Sequence, residues 1–336
     1  MNREEFESFV QTARFNGKPL NDQMEETHIS WISFTKKYVF KIKKPVKLSF
    51  LDFSTLGKRK RFCEKELMLN QRFSKIYLDV LPVIMGEKGW CLGKEEGDIV
   101  DYAVQMKRMA SSKRMDKMLQ ENKVGKGSMQ ALAEEVAFFH KKAEVIKTPF
   151  DRNKAKALFN DIGDTGDFIQ KELGQEQKEF IHRSMNWSNE FLEGHAQRFQ
   201  DRIERGFKRD LHGDLHAGNI FLYQQPVLFD CIEFNDEFRQ IDLLYEIAFL
   251  CMELEAKGHQ EFSDQFLSTY CKKISCLETD EDTDLYLYFK CLRANVRAKV
   301  RSLSIKESSG GDKNDHLKAI NIYLSLMGEY MRQIEG

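Results

Sequence analysis

Long apolar runs are missing from this chain. No stretch approaches the ~18 consecutive apolar residues that a membrane-spanning helix requires, so no membrane partner is expected. Proline is scarce, at five in 336 residues, which excludes long Pro-rich linkers. The seven cysteines are odd in number and include no C-x-x-C pair, which argues against a zinc site or a disulfide framework. The opening Met1-Asn2-Arg3-Glu4-Glu5 is polar and acidic and does not read as a signal peptide. A reduced, cytoplasmic protein is expected. An excess of one charge is missing too: 52 Lys and Arg face 53 Asp and Glu, for a net charge of -1. A nucleic-acid binder usually carries a basic surplus, so no nucleic-acid partner is expected. Internal repeats and low-complexity segments are also absent.

Apolar residues make up 41% of the chain and aromatics 12%, including 26 Phe. That is enough to build sizeable cores and excludes wholesale disorder. The length implies two domains, or one domain in two lobes. The first hundred residues are strand-rich. Ile29–Phe34 and Tyr38–Ile42 flank the polar tip Thr35-Lys36-Lys37 and read as a hairpin. Ser54–Phe73 reads as a helix capped by Ser54 or Thr55. Leu78–Met85 and Ile99–Met106 are further apolar runs, separated by a turn region holding Gly86, Gly89, Gly93 and Gly97. This amounts to a small sheet with one inserted helix.

After about Arg108 the pattern turns helical. Met129–Ala143 carries a stripe at Leu132, Val136, Phe139 and Ala143, and a helical region of open limits covers Gln175–Arg205. A tight hairpin, Ile220–Tyr223 and Val227–Phe229, interrupts the helices. Long helices follow at Asp242–Ala256, Gln260–Lys273, Leu285–Leu303 and His316–Gln333, with a loop at Ser308-Ser309-Gly310-Gly311.

The chemistry concentrates in Leu211–Asp230, L-H-G-D-L-H-A-G-N-I-F-L-Y-Q-Q-P-V-L-F-D. Asp214 precedes Asn219 by five residues. Asn219 opens one hairpin strand and Asp230 closes the other. Two carboxylates and an amide oxygen are hard donors that suit Mg²⁺. Phosphoryl transfer needs such a set: one carboxylate takes or orients the proton of an attacking hydroxyl, while the amide and the second carboxylate hold metal against phosphates.

These residues, together with E-T-H-I-S-W (26–31), Y-V-F-K-I-K-K-P-V (38–46), F-L-D-F-S-T-L (50–56), V-L-F-D-C-I-E-F-N (227–235) and R-A-N-V-R-A-K-V (293–300), resemble the aminoglycoside phosphotransferase family of the protein-kinase-like superfamily. More narrowly they resemble a kinase group often fused to a C-terminal P-loop domain. No G-x-x-x-x-G-K-S/T occurs in these 336 residues, so that domain is not expected among them. The resemblance implies an α+β, bilobal protein-kinase-like fold. A small β-rich lobe with one inserted helix would span 1–106. A larger helical lobe with the catalytic loop and acceptor site would span 107–336.

The resemblance further implies a lysine for the α/β-phosphates on the third strand of the small lobe. Lys41 fits, and Lys43, two residues on and facing the same side, is its rival. Its partner should be a glutamate of the inserted helix. Glu66 shares a stripe with Phe62, Leu69 and Phe73, whereas Glu64 is rotated away. A carboxylate facing the core needs a cation; the alternative is a partly exposed stripe with Glu66 solvated. The phosphate-covering glycine loop of protein kinases is replaced by Glu26-Thr27-His28, where Thr27 and His28 are the candidate phosphate contacts. The nucleotide base should meet backbone near Met106-Lys107-Arg108-Met109, with ATP expected and GTP left open.

Several residues carry two readings each. His216 either lines the phosphoryl or acceptor site or packs its loop. Glu233 binds a cationic acceptor or second metal, or is a solvated loop acid. Arg293 and Arg297, in a stripe with Lys290 and Arg301, either face the acceptor, which would then be anionic, or form a solvated helix face. His140 reads as a core histidine and Asp242 as a helix cap or loop brace. The leading expectation is an ATP- and Mg²⁺-dependent kinase acting on a small-molecule hydroxyl, with Asp214 as base. The alternative is a nucleotide-binding regulatory pseudokinase module with little turnover, motivated by the missing glycine loop. A protein kinase is disfavoured: Asp230-Cys231-Ile232 replaces D-F-G, Gly213 replaces the arginine of H-R-D, and no A-P-E follows.

Overall fold

The computed structural model describes residues 1–20, 23–48, 51–87, 89–93, 96–307 and 313–336, with the side chains of 306 and 307 also left aside. The loop expected at 308–311 lies outside the described residues. The chain forms two compact units interleaved in sequence. The first comprises Met1–Val124, His212–Asp214 and Gly218–Arg239; the second comprises Gly125–Leu211, Leu215–Ala217 and Gln240–Gly336.

The first unit opens with a helix, α1 (Arg3–Thr12), started by a reciprocal cap. The Glu5 N–H donates to Asn2 Oδ1 at 2.9 Å, and the Asn2 N–H donates to Glu5 Oε2 at 2.7 Å. Short strands follow: β1 (Arg14–Phe15), β2 (Lys18–Pro19), β3 (Met24–Glu26), β4 (Ser30–Phe34), β5 (Tyr38–Lys43), β6 (Lys47–Leu48) and β7 (Leu51–Asp52). Helix α2 (Leu56–Asn70) comes next, then β8 (Tyr77–Gly86), β9 (Gly89–Leu92) and β10 (Asp98–Lys107). Eight strands join in the order β2-β1-β9-β8-β10-β5-β4-β3, while β6 and β7 pair separately.

Strand β5 shows how the sheet divides its duties. The two-residue period sends Phe40 and Ile42 to one face and Val39, Lys41 and Lys43 to the other. Phe40 and Ile42 join Trp31, Val83, Trp90 and Ala103 in a core closed by Phe6, Phe9 and Val10 of α1. Opposite them, Val39 packs in a second cluster with Cys63 of α2, Tyr77, Val104 and Met106. The sheet expected with one helix therefore has a second helix on its back. Phe6, Phe9 and Val10 already carry the spacing of a helical stripe. Strands β1, β2 and β9 are only two to four residues long, too short to show a period.

Helix α2 begins at Leu56 because the Thr55 hydroxyl accepts from the Lys58 N–H at 3.3 Å. Its buried side chains are Arg59, Cys63, Glu66, Leu69 and Asn70. Most of that stripe is polar, which is why an apolar count aims it through Phe62 and Phe73 instead. The late hairpin, Ile220–Phe221 with Val227–Leu228, belongs to the first unit through its ties to the connector after β10. The Leu222 N–H donates to the Lys113 carbonyl at 2.8 Å, and the Ala110 N–H donates to the Tyr223 hydroxyl at 3.1 Å.

Among the described residues, the named elements of the second unit are helical apart from the two-stranded pairing of Lys208–Asp210 with Gln240–Asp242. Helix Leu243–Ala256 is buried nearly all round, as a central helix should be. His140 is a core histidine, its Nδ1 2.7 Å from the Tyr270 hydroxyl. Asp242 caps its helix by accepting from the Leu244 N–H at 2.7 Å, and it also receives two bonds from buried Arg202, each 2.8 Å. No helix among the described residues is long and apolar enough to cross a membrane.

Phe40 is fully buried and meets Phe15 edge-on at 5.1 Å. Phe40→Ala should lower unfolding free energy by about 3–5 kcal/mol, measured by urea unfolding. A loss under ~1 kcal/mol would show that the sheet's back is not packed as described.

Candidate active site

The face of β5 turned toward α2 carries two lysines, and one glutamate serves both. The Lys41 ammonium donates to Glu66 Oε1 at 2.9 Å, and the Lys43 ammonium donates to Glu66 Oε2 at 2.7 Å. The Glu66 side chain is fully buried. Burial alone would raise its carboxyl; Lys41 and Lys43 outweigh that and hold it at about 2. Each lysine has a second partner. Lys41 reaches Asp230 Oδ1 at 2.6 Å, and Lys43 pairs with Glu233. Burial opposes the charge on both lysines, but their carboxylate partners raise both above the ordinary lysine value. Lys41 and Lys43 thus share Glu66 as a partner. Lys43 is fully buried between two glutamates, while Lys41 extends to Asp230, whose side chain is 42% exposed.

Asp230 sits in the left-handed region at φ 64, unusual for a residue with a side chain. The loop before the late hairpin is bound to it. His212 Nε2 lies 2.9 Å from the Phe229 carbonyl, which can only accept, so Nε2 carries the proton. Nδ1 then accepts the Asp214 N–H at 3.3 Å. Gly213 adopts φ +85, and a Cβ there would come within 2.7 Å of the Phe238 carbonyl. No arginine could stand at this position without moving that backbone. The Asn219 amide nitrogen donates to Asp214 Oδ2 and to the Asp214 carbonyl, each at 3.0 Å. The planar carboxamide therefore turns its oxygen away from Asp214.

The donor chemistry fits magnesium. Two ammonium groups face three carboxylates in the Lys41, Lys43, Glu66, Glu233, Asp230 set, leaving one negative charge, and Asp230 is the exposed member. No group of three His, Cys, Asp or Glu side chains among the described residues is arranged to hold a metal alone. One carboxylate and one amide oxygen, completed by phosphate and water, is the sparse protein set magnesium takes in phosphoryl-transfer sites.

The remaining candidates fall in several places. Thr27 is exposed, and its hydroxyl closes its own turn, donating to the Ser30 carbonyl at 3.1 Å and accepting the Ser30 N–H at 3.0 Å. His28 is exposed beside it. Met106 is buried in the cluster with Tyr77 and Val104. Arg108 commits its guanidinium to the hairpin tip, donating to the Thr35 carbonyl and to Gln23 Oε1, each at 2.8 Å. Glu233 is not a solvated loop acid: it is buried and has its cation, Lys43, inside the protein.

In the second unit, His216 Nδ1 lies 4.0 Å from Glu253, which also accepts the Ala217 N–H at 2.7 Å. The basic stripe is not a solvated face. Lys290 pairs with Glu255 at 2.7 Å, and Arg293 is buried against Tyr245 and Phe249, 3.8 and 4.6 Å from their ring centroids. Arg297 lies 5.8 Å from the Phe249 ring. Tyr77 and Asn70 escaped the sequence reading. The Asp230 N–H donates to the Tyr77 hydroxyl at 3.0 Å, and the Cys231 N–H donates to Asn70 Oδ1 at 2.9 Å. Only the i, i+4 spacing of Asn70 from Glu66 hinted at a shared helix face.

The chain matches no protein-family model. Uncharacterised proteins of Mycobacterium bovis and Mycobacterium tuberculosis are each 29% identical to it over 334 residues, covering 92% of this chain and 63% of the relative. The chain thus spans less than two thirds of the length of the curated relatives it matches. Solved structures share its fold. A choline/ethanolamine kinase family protein from Mesorhizobium loti aligns with TM-score 0.55 at 10% identity, covering 94% of this chain and 92% of that one. A thermostable mutant of aminoglycoside phosphotransferase APH(4)-Ia aligns with TM-score 0.53 at 10% identity, covering 94% of each. The GDP complex of aminoglycoside 2'-phosphotransferase-IIIa aligns with TM-score 0.50 at 14% identity, covering 99% of each. The chain has the α+β protein-kinase-like fold in the form these small-molecule phosphotransferases share.

Glu66 couples this site to pH. Its carboxyl lies at about 2 in the folded chain against an ordinary 4.5. A depressed carboxyl adds stability that is complete above the ordinary value and is lost as pH falls through the folded value. The melting-temperature gap between wild type and Glu66→Gln should therefore narrow as pH falls from 4.5 to about 2. A gap that stays constant across that window would refute the buried ion pair.

Proposed function

We propose that this chain is a magnesium-dependent phosphotransferase that moves the γ-phosphoryl group of ATP to a hydroxyl of a small molecule. The observation that carries the reading is the Lys41 ammonium held between Glu66 at 2.9 Å and Asp230 at 2.6 Å. A cation so fixed can meet phosphate oxygens without first losing conformational freedom. In this reading Lys41 positions the α/β-phosphates and Glu66 keeps it in place. Asn219 and Asp230 hold the metal, which when bound would neutralise charge on the phosphates. Asp214, oriented by Asn219, accepts the proton of the attacking hydroxyl.

Backbone of the turn at Thr27 and His28 would approach the phosphates, and the connector at Met106–Arg108 would meet the base. His216, Arg293 and Arg297 are the residues we assign to the acceptor. Glu233 serves through Lys43. The donor is ATP in this reading, and the GDP bound by one structural neighbour makes GTP the donor to test beside it. The seven free thiols suit a reducing compartment such as the cytoplasm.

The test is ADP release over a panel of hydroxyl-bearing metabolites and aminoglycosides, with Asp214→Asn as the paired control. The variant should bind nucleotide as wild type does and turn over about 10²–10⁴-fold more slowly. Equal turnover in the variant would remove Asp214 as base. Mg-ATP binding without ADP release from any acceptor would favour a regulatory nucleotide-binding module.

A further inference from the structure

Asp230 is held by more than its ion pair. The peptide unit before it is gripped at both ends: its carbonyl, from Phe229, by His212 Nε2 at 2.9 Å, and its N–H by the Tyr77 hydroxyl at 3.0 Å. The peptide unit after it is gripped by Asn70, whose Oδ1 accepts the Cys231 N–H at 2.9 Å. The two planes that meet at the Asp230 Cα are therefore both anchored, the first at both ends and the second at its N–H, which restrains φ and ψ. The conformation they impose is one a non-glycine residue seldom adopts, with φ at 64. Tyr77 and Asn70 are both buried.

Asn70 has a second bond. Its amide nitrogen donates to the Glu66 carbonyl at 3.0 Å, so the carboxamide bridges α2 and the Asp230 segment. Glu66 and Asn70 lie one helical turn apart on the same face. The first anchors the two lysines; the second anchors the backbone that carries Asp230. Helix α2 cannot shift without disturbing both.

We propose that Tyr77 and Asn70 are positioning residues that set the direction of the Asp230 carboxylate, and so the affinity for the metal that accompanies the nucleotide. The inference rests on the phosphotransferase reading. It assigns neither residue a contact with substrate. Outer partners that orient a metal ligand commonly change metal affinity 10- to 100-fold when removed.

The experiment compares wild type, Tyr77→Phe and Asn70→Ala in three measurements: ADP affinity without metal, ADP affinity with Mg²⁺, and amide exchange at residues 230 and 231 in metal-free protein. Tyr77→Phe keeps the ring and removes only the accepting oxygen, so it serves if Asn70→Ala fails to fold. The expected result is a Mg-ADP affinity weakened about tenfold or more, metal-free ADP affinity within about twofold of wild type, and faster exchange at both amides. Unchanged magnesium dependence would overturn the inference. So would a loss of affinity equal with and without metal, because that is what general loosening produces. Wild type that binds ADP under neither condition would instead overturn the phosphotransferase reading, and this inference with it.

Discussion

One carboxylate shared between two ammonium groups organises the first unit. Glu66 has no exposed surface, and a lone charge there would cost several kcal/mol. It is tolerable only because Lys41 and Lys43 each take one of its oxygens. That demand fixes much else. The lysines must sit two residues apart on one strand face, so β5 must be regular. The glutamate must face them, so α2 must pack with a polar stripe inward. Each lysine, itself buried, needs further negative charge, which draws Asp230 to one and Glu233 to the other.

The same arrangement separates rigid from accessible chemistry. Lys43 and Glu233 close the inner end, and both are buried. Lys41 and Asp230 form the outer end, where Asp230 is the exposed member. Gly213 serves the loop beside it in another way. Its backbone passes so close to the Phe238 carbonyl that no side chain fits, which lets His212 hold Phe229 and Asp214 together.

Much of this was legible in the residues alone. The step from Asp214 to Asn219, the hairpin ending at Asp230 and the Y-V-F-K-I strand pointed to residues that the fold brings into contact, Asn219 with Asp214 and Lys41 with Asp230. The late hairpin, helix α2 and the helices at Leu243–Ala256, Gln260–Lys273 and Lys313–Glu335 fell within three residues of their observed limits, whereas the helix expected at Leu285–Leu303 runs from Asp280 to Glu307. What escaped has physical causes. Period-two reasoning placed Lys43 beside Lys41 but could not say that one glutamate would serve both. An apolar stripe misses Asn70, because the buried side of α2 is chosen by charge and hydrogen bonding as much as by hydrophobicity. Tyr77 reads as an ordinary aromatic strand residue; its role lies in one hydroxyl that meets a backbone 153 residues further along the chain. For the basic stripe near Arg293 a solvated face stayed open beside an acceptor-facing one, because helical periodicity does not reveal that Tyr245 and Phe249 pack on Arg293.

The doubled lysine has a consequence for how such a chain can diverge. In a site with a single lysine, losing that residue would strand a buried carboxylate and threaten the fold. Here, losing Lys41 leaves Lys43 alone between Glu66 and Glu233, one ammonium for two buried carboxylates, so the interior tolerates the loss of the residue that reaches Asp230 no better. The contact with Asp230 and the charge balance of the interior are thereby placed under one selection. A duplicated copy could not shed the first and keep the second by a single codon change.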